Sequence, residues 1–131
     1  MEYSDSLKKN NEFQRVYRKG TSQANRYLVM YVLENHDRHM ENRLGISVSK
    51  KVGNSVVRHR VTRLIRESYR LNERSFRQGL DIVVVARPNA KDKSYQEIES
   101  ALMHLAGRMK IRREAEIHTE ESSEPKKADE Q

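Results

Sequence analysis

The chain has 131 residues, with 26 Lys or Arg against 19 Asp or Glu, a net charge of +7 and a pI near 9.8; that length suits one domain with a modest core. It contains no cysteine, which excludes a disulfide framework, a thiol nucleophile and Cys-ligated zinc. No apolar run approaches the roughly 20 residues of a membrane span and no signal-type segment opens the chain, so a cytoplasmic protein is expected.

The charge is uneven: residues 112–131 carry −3 and residues 1–111 carry +10. Such a basic domain fits a nucleic-acid partner, although anionic lipid would attract the same balance. In chain order, residues 6–19 predict a first helix, with Leu7, Phe13, Val16 and Tyr17 at helical intervals, Asp5 or Ser6 as cap and Gly20 as stop. Phe13 and Tyr17 are i, i+4 neighbours and project from one face. Core packing accounts for such a pair, but Lys8, Lys9, Arg15, Arg18 and Lys19 surround it, and rings edged by cations also suit unpaired bases. Thr21–Ala24 reads as a short edge strand. Arg26–Glu34 reads as a covered strand, apolar on both faces. After a polar turn over Asn35–Asn42, Leu44, Ile46 and Val48 alternate with Gly45, Ser47 and Ser49, a strand with one face open to close approach.

The stretch from Lys50 to Arg70 is the most informative. It holds seven Lys or Arg and a single acid, Glu67. Asn54 is placed to cap a helix after Gly53. At about 100° per residue, Arg58, His59, Arg63, Arg66 and Arg70 share an arc of roughly 140°, while Val57, Val61, Leu64 and Ile65 centre on the other side. A solvated polar face normally interleaves Glu with Lys or Arg at i, i+4. Here the acids are missing and Arg58 sits at the helix's positive end, where a cation is disfavoured. Such a face calls for an outside anion, and arginine over lysine favours phosphate, which a planar fork can grip bidentately.

Gln78-Gly79 marks a stop. Leu80–Ala86 is almost continuously apolar, which predicts an interior strand in a parallel position, reached by crossover through the basic helix. A last helix is expected from Ser94 to Lys110, packing through Ile98, Ala101, Leu102, Leu105 and Met109. The order αβββαβα defines a two-layer α+β domain with helices against one sheet. Residues 1–111 form this domain, and residues 112–131 are a charged tail with little to bury, for which disorder is expected.

Residues able to do chemistry unaided are not in evidence. His36, Asp37 and His39 lie in a loop with no fixed ligand spacing, His104 and His118 stand apart, Glu97 and Glu99 lack a partner, and Gly53 marks a turn rather than a phosphate-cradling loop. No catalytic or metal-ligating residue is therefore assigned.

Lys50, Lys51, Val52, Gly53, Asn54, Val57, Arg58, Arg60, Arg63, Leu64, Ile65, Arg66 and Glu67 resemble the arginine-rich motif of the protein subunit of bacterial ribonuclease P. Flanking matches are Leu7-Lys8-Lys9-Asn10, Glu12-Phe13, Val16-Tyr17, Gly45-Ile46-Ser47-Val48-Ser49 and Ala86-Arg87-Pro88, so the resemblance spans roughly residues 6–107. It implies a protein cofactor of an RNA enzyme that removes the 5′ leader of precursor tRNA by Mg²⁺-dependent hydrolysis, with catalysis and metal on the RNA and no further protein partner required. It assigns the catalytic RNA to Lys50, Lys51, Arg58, Arg60, Arg63 and Arg66, beside His59 and Arg70 of the same arc, and the leader to Phe13, Tyr17 and Tyr31. It also implies a left-handed βαβ crossover, against the general rule. His59 and Thr62 depart from the family's usual Asn and Lys or Arg. Two other functions fit the composition: a structural RNA-binding module of ribosomal type, which would need no cleft for unpaired bases, and a DNA binder, which would need a helix-turn-helix partner that does not precede residue 54.

Overall fold

The computed structural model describes residues 4–35 and 41–113. Its elements are β1 (Ser4–Ser6), α1 (Asn10–Lys19), β2 (Thr21–Ala24), β3 (Leu28–Glu34), β4 (Asn42–Ser47), α2 (Ser55–Leu71), β5 (Leu80–Ala86) and α3 (Tyr95–Arg108), with 3₁₀ turns at Glu73–Ser75 and Pro88–Ala90. The five strands form one sheet in the order β1-β4-β5-β3-β2. β5 is central, parallel to β4 and antiparallel to β3, as its continuous apolarity requires. β4 and β5 are joined through α2, which is the expected βαβ unit. Gly79, at φ 81, turns the chain into β5, a conformation glycine adopts without a Cβ penalty.

α2 and α3 cover one face of the sheet. Val61, Ile65 and Tyr69 of α2 and Ile98, Leu102 and Leu105 of α3 pack with Leu28, Met30, Ile82 and Val84. α1 lies on the opposite face, where Leu7 and Val16 meet Val83. The layer of helices anticipated from the sequence is thus α2 and α3, and α1 adds cover on the other side. β3 alternates buried and half-buried positions because both of its faces are covered.

Asn54 caps α2 as anticipated, and Ser94, at the expected start of the last helix, proves to be a cap as well. Asn54 Oδ1 accepts the Val57 N–H at 3.0 Å, and Ser94 Oγ accepts the Glu97 N–H at 3.2 Å while the Glu97 carboxylate accepts the Ser94 N–H at 2.9 Å, a reciprocal box. In α3, Ala106 is buried where Met109 was expected to complete the stripe; Met109 is the C-cap residue and only partly buried.

The N-terminus corrects the sequence reading. The first helix begins at Asn10 rather than residue 6, and neither Asp5 nor Ser6 caps it: the Glu12 carboxylate accepts the N–H groups of Lys8 (2.9 Å) and Lys9 (3.0 Å). Residues 4–6 instead form β1, parallel to β4. Leu7 is buried in the connection, with its N–H donating to the Leu44 carbonyl at 2.9 Å. At β3, Arg26 and Tyr27 fall outside the strand because Asn25 Oδ1 accepts the N–H groups of Tyr27 and Leu28 in a tight turn. Beyond α3, Arg112 forms a β-bridge with Phe76. The tail expected to be disordered was residues 112–131; of these, Arg112 makes this bridge and the Arg113 N–H donates to the Ser75 carbonyl at 2.8 Å, while residues 114–131 lie outside the described residues, as do His36, Asp37, His39 and His118.

Candidate RNA interface

On α2, His59, Arg63, Arg66 and Arg70 are exposed, and Lys50 and Lys51 are exposed in the turn before it. The first turn contains no acid. Arg58 is half-buried, about 20° from Ile65 around the helix, and its Nε is buried without a hydrogen-bond partner. Among the described residues no carboxylate makes a salt bridge with Arg58, Arg63 or Arg66, although the Arg63 charge also acts on Glu67, one turn along. Two basic residues differ. Arg70 is held by Glu67, Nε to Oε1 at 3.1 Å; that contact lowers the Glu67 carboxyl below its ordinary range and raises Arg70. Arg60 lies outside the arc and donates to the carbonyls of Lys91 (3.3 Å) and Lys93 (2.8 Å), fastening α2 to the segment after β5. Thr62 Oγ1 donates to the Arg58 carbonyl at 2.8 Å, so this departure from the family motif is satisfied within the helix.

The three rings gather on the other face of the sheet. Tyr17 meets Tyr31 edge-on at 4.9 Å between centroids, and Phe13 lies 6.5 Å from Tyr17. All three are half-buried. They pack on Leu7, Val16 and Val83 and still present part of their surface. Gly45 makes room for them: a Cβ there would stand 2.7 Å from Phe13 Cε2 and Cζ. The small residues of β4 thus have the close approach their sequence suggested. The structure brings Phe13, Tyr17 and Tyr31 together and keeps them apart from the α2 arc, on opposite sides of the sheet.

What fixes α1 over those rings was not foreseen. Asp81, 1% exposed at the start of β5, receives the Arg43 fork through Nε (3.0 Å) and NH2 (2.7 Å) and the Asn35 amide at 2.9 Å. Arg43 NH1 also reaches the Glu12 carboxylate at 3.0 Å, and Arg15 approaches Asp81 at 3.9 Å. The Asp81 hydrogen bond raises the Arg43 pKa, and the Lys9 and Lys8 N–H groups lower that of Glu12. The sequence signal for this network was one acid inside the run Leu80–Ala86. A second unforeseen anchor ties β1 and β4 to α2. The buried Tyr69 hydroxyl lies 2.8 Å from Ser4 Oγ and accepts from Asn42 Nδ2 at 3.2 Å; burial raises its pKa.

A basic α+β domain with cations on one helix and half-open rings on the far sheet face belongs to the class of nucleic-acid-binding proteins. The family model for ribonuclease P matches residues 1–110. The ribonuclease P protein component of Lachnoclostridium phytofermentans is 64% identical over 108 residues, 82% of this chain and 91% of the relative. That of Alkaliphilus metalliredigens is 54% identical over 111 residues, 85% and 98% of the two chains. The solved Staphylococcus aureus RNase P protein superposes with a TM-score of 0.74 at 42% identity, over 81% of this chain and 95% of that one. The chain belongs to the ribonuclease P protein family, and its role lies in maturation of the 5′ end of tRNA.

Proposed function

We propose that this chain holds the catalytic RNA of ribonuclease P through α2 and guides the 5′ leader of precursor tRNA across the rings of α1 and β3. The observation that carries the reading is the arc itself: Arg58, Arg63 and Arg66 make no salt bridge to a carboxylate among the described residues, and Arg58 stands in the first turn of α2, where the helix dipole disfavours a cation. RNA phosphates supply the missing anions, with His59, Arg70, Lys50 and Lys51 at the same surface. Arg60, whose fork already meets two carbonyls, adds charge and holds the adjoining segment. Phe13, Tyr17 and Tyr31 offer the π-surface on which unpaired leader bases stack.

Hydrolysis of the leader is assigned to the RNA subunit and its Mg²⁺. No metal ligand is assigned to this protein. The holoenzyme acts in the cytoplasm and needs no second protein. An architectural module of ribosomal type would account for the arc but needs no half-open ring surface beyond the packing of those rings on Leu7, Val16 and Val83.

The test is reconstitution of full-length protein, RNA subunit and precursor tRNA at low Mg²⁺, omitting one component at a time. Correct 5′ cleavage requires the RNA and is stimulated by the protein. Cleavage by rigorously RNA-free protein would overturn the assignment.

A further inference from the structure

A groove separate from the arc and the rings opens between the turn at residues 25–27, which joins β2 to β3, and the first half of α3. Its volume is about 390 Å³, within the range of sites that hold one small ligand. Asn25 fixes one wall. Its Nδ2 donates to the Ala101 carbonyl at 2.9 Å and its Oδ1 accepts from Tyr27 and Leu28 at 3.2 and 3.0 Å. Its own carbonyl accepts from Arg87 NH1 at 2.7 Å. A wall tied by four bonds is preformed, so a ligand entering it orders little of the protein.

The lining has a definite chemistry. Ala101 and the Tyr27 ring give an apolar surface. Gln96 and Ser100 bring an exposed amide and hydroxyl, and His104 Nδ1 lies 3.3 Å from Asn25 Nδ2. In the tautomer where that nitrogen accepts, Nε2 is left as a donor. Arg26 lines the groove, and Lys93 Nζ stands 5.2 Å from the centroid of the Tyr27 ring. The one lining carboxylate, Glu97, is occupied by Ser94, accepting from its N–H at 2.9 Å and its hydroxyl at 3.1 Å. Those donors and the nearby Lys93 charge hold the Glu97 carboxyl below its ordinary range, so it stays ionised, and Arg26 with Lys93 exceeds it by one positive charge.

An apolar surface beside base-edge donors and acceptors, with cations on its rim, is the chemistry that takes an unpaired nucleotide. We infer that this groove binds one unpaired RNA nucleotide, its base against Ala101 and the Gln96, Ser100 and His104 groups and its phosphate toward Arg26 and Lys93. An acidic peptide would use the cations but leave the base-reading groups idle. The inference rests on the proposed RNA-binding role and adds a contact surface to it.

Amide NMR of the full chain titrated with adenosine 5′-monophosphate tests the site. Saturable shifts are expected at residues 25–27 and 96–104. Ser100→Trp, which fills the groove from an exposed helix position, weakens them at least tenfold, and Lys93→Ala weakens them less. In the reconstituted ribonucleoprotein, Ser100→Trp then lowers affinity three- to tenfold. A loss for the RNA subunit alone places the nucleotide on the enzyme's RNA, and a loss confined to precursor tRNA places it on the substrate. The inference is overturned if the groove amides do not shift, if both affinities stay unchanged, or if a Glu-rich pentapeptide moves those amides at lower concentration than the nucleotide. Cleavage by the wild-type assembly in the same preparation reads the proposed function separately.

Discussion

Beneath α1, the guanidiniums that face the sheet end on carboxylates: Arg43 on Asp81 and Glu12, and Arg15 near Asp81. Along α2, Arg58, Arg63 and Arg66 end on none among the described residues. The same residue type therefore does two kinds of work on the two sides of one sheet. Where the chain answers its own cations, the charge fixes geometry and the rings nearby provide the surface. Where it leaves them unanswered, the charge itself is the surface, and the free protein carries electrostatic repulsion that a phosphate backbone would relieve.

The largest effect should come from breaking the answered side. Arg43→Met leaves Asp81 buried without its bidentate partner, a loss of about 3–5 kcal/mol, read as a lower urea midpoint. Arg43→Met with Asp81→Leu should recover much of that stability, because a buried pair replaced by apolar groups is often neutral. A single substitution costing under about 1 kcal/mol would show that the network does not hold α1.

Next come the rings. Phe13→Ala or Tyr17→Ala should weaken binding of long-leader precursors by about 1–3 kcal/mol, the scale of one base–aromatic stack, while affinity for the RNA subunit stays unchanged. Gly45→Ala sharpens the comparison because it displaces the Phe13 ring without deleting it, its Cβ falling 2.7 Å from that ring. It should reproduce part of the leader-dependent loss. A defect independent of leader length in titrations would make these rings core residues only.

The difference between the two sides was unequally visible in the sequence. α2 announces itself, since Asn54, the apolar positions and the acid-free arc are local signals, and the helix caps as they demand. The central place of β5 was legible because continuous apolarity requires cover on both faces. Phe13 and Tyr17 were legible as i, i+4 neighbours, but their meeting with Tyr31 depends on how α1 lies across the sheet, and the roles given to all three rest on family resemblance. β1 was missed because Ser4-Asp5-Ser6 has no strand-forming composition; its pairing comes from β4 and the Tyr69 hydroxyl. The Asp81 network joins residues from four separate segments, and no periodicity reports such a contact. Side-chain geometry also separates Arg60 from the arc in kind, because its carbonyl partners come from the turn after β5.

On the unanswered side, Arg63→Ala should flatten the dependence of log K on log salt for the RNA subunit by roughly 0.7 to 0.9, one phosphate contact. Arg60→Ala should change that slope less, because its fork is engaged within the protein. It should instead loosen the segment around Lys91 and Lys93, visible as faster amide exchange there. Equal slopes for wild type and Arg63→Ala in salt titrations would count against a direct phosphate contact at that position.

The smallest expected effect lies at Glu67, the single acid between Lys50 and Arg70 and the one place where the arc resembles the side under α1. Its carboxylate holds Arg70 at 3.1 Å, and both side chains are about half-exposed, so water screens the pair and its contribution is small. Glu67→Gln removes the carboxylate charge at nearly constant shape. If pairing withholds Arg70 from RNA, affinity for the RNA subunit should rise by no more than about threefold at low salt, and the salt slope should steepen toward one further contact. The gain should shrink in an Arg70→Ala background, where only the weaker Arg63–Glu67 attraction is left, so a double-mutant cycle isolates the Arg70 coupling. A fall in affinity on Glu67→Gln would reverse the interpretation: the carboxylate would then be pre-orienting Arg70 toward a phosphate, and an internally answered cation would belong to the RNA-binding surface after all.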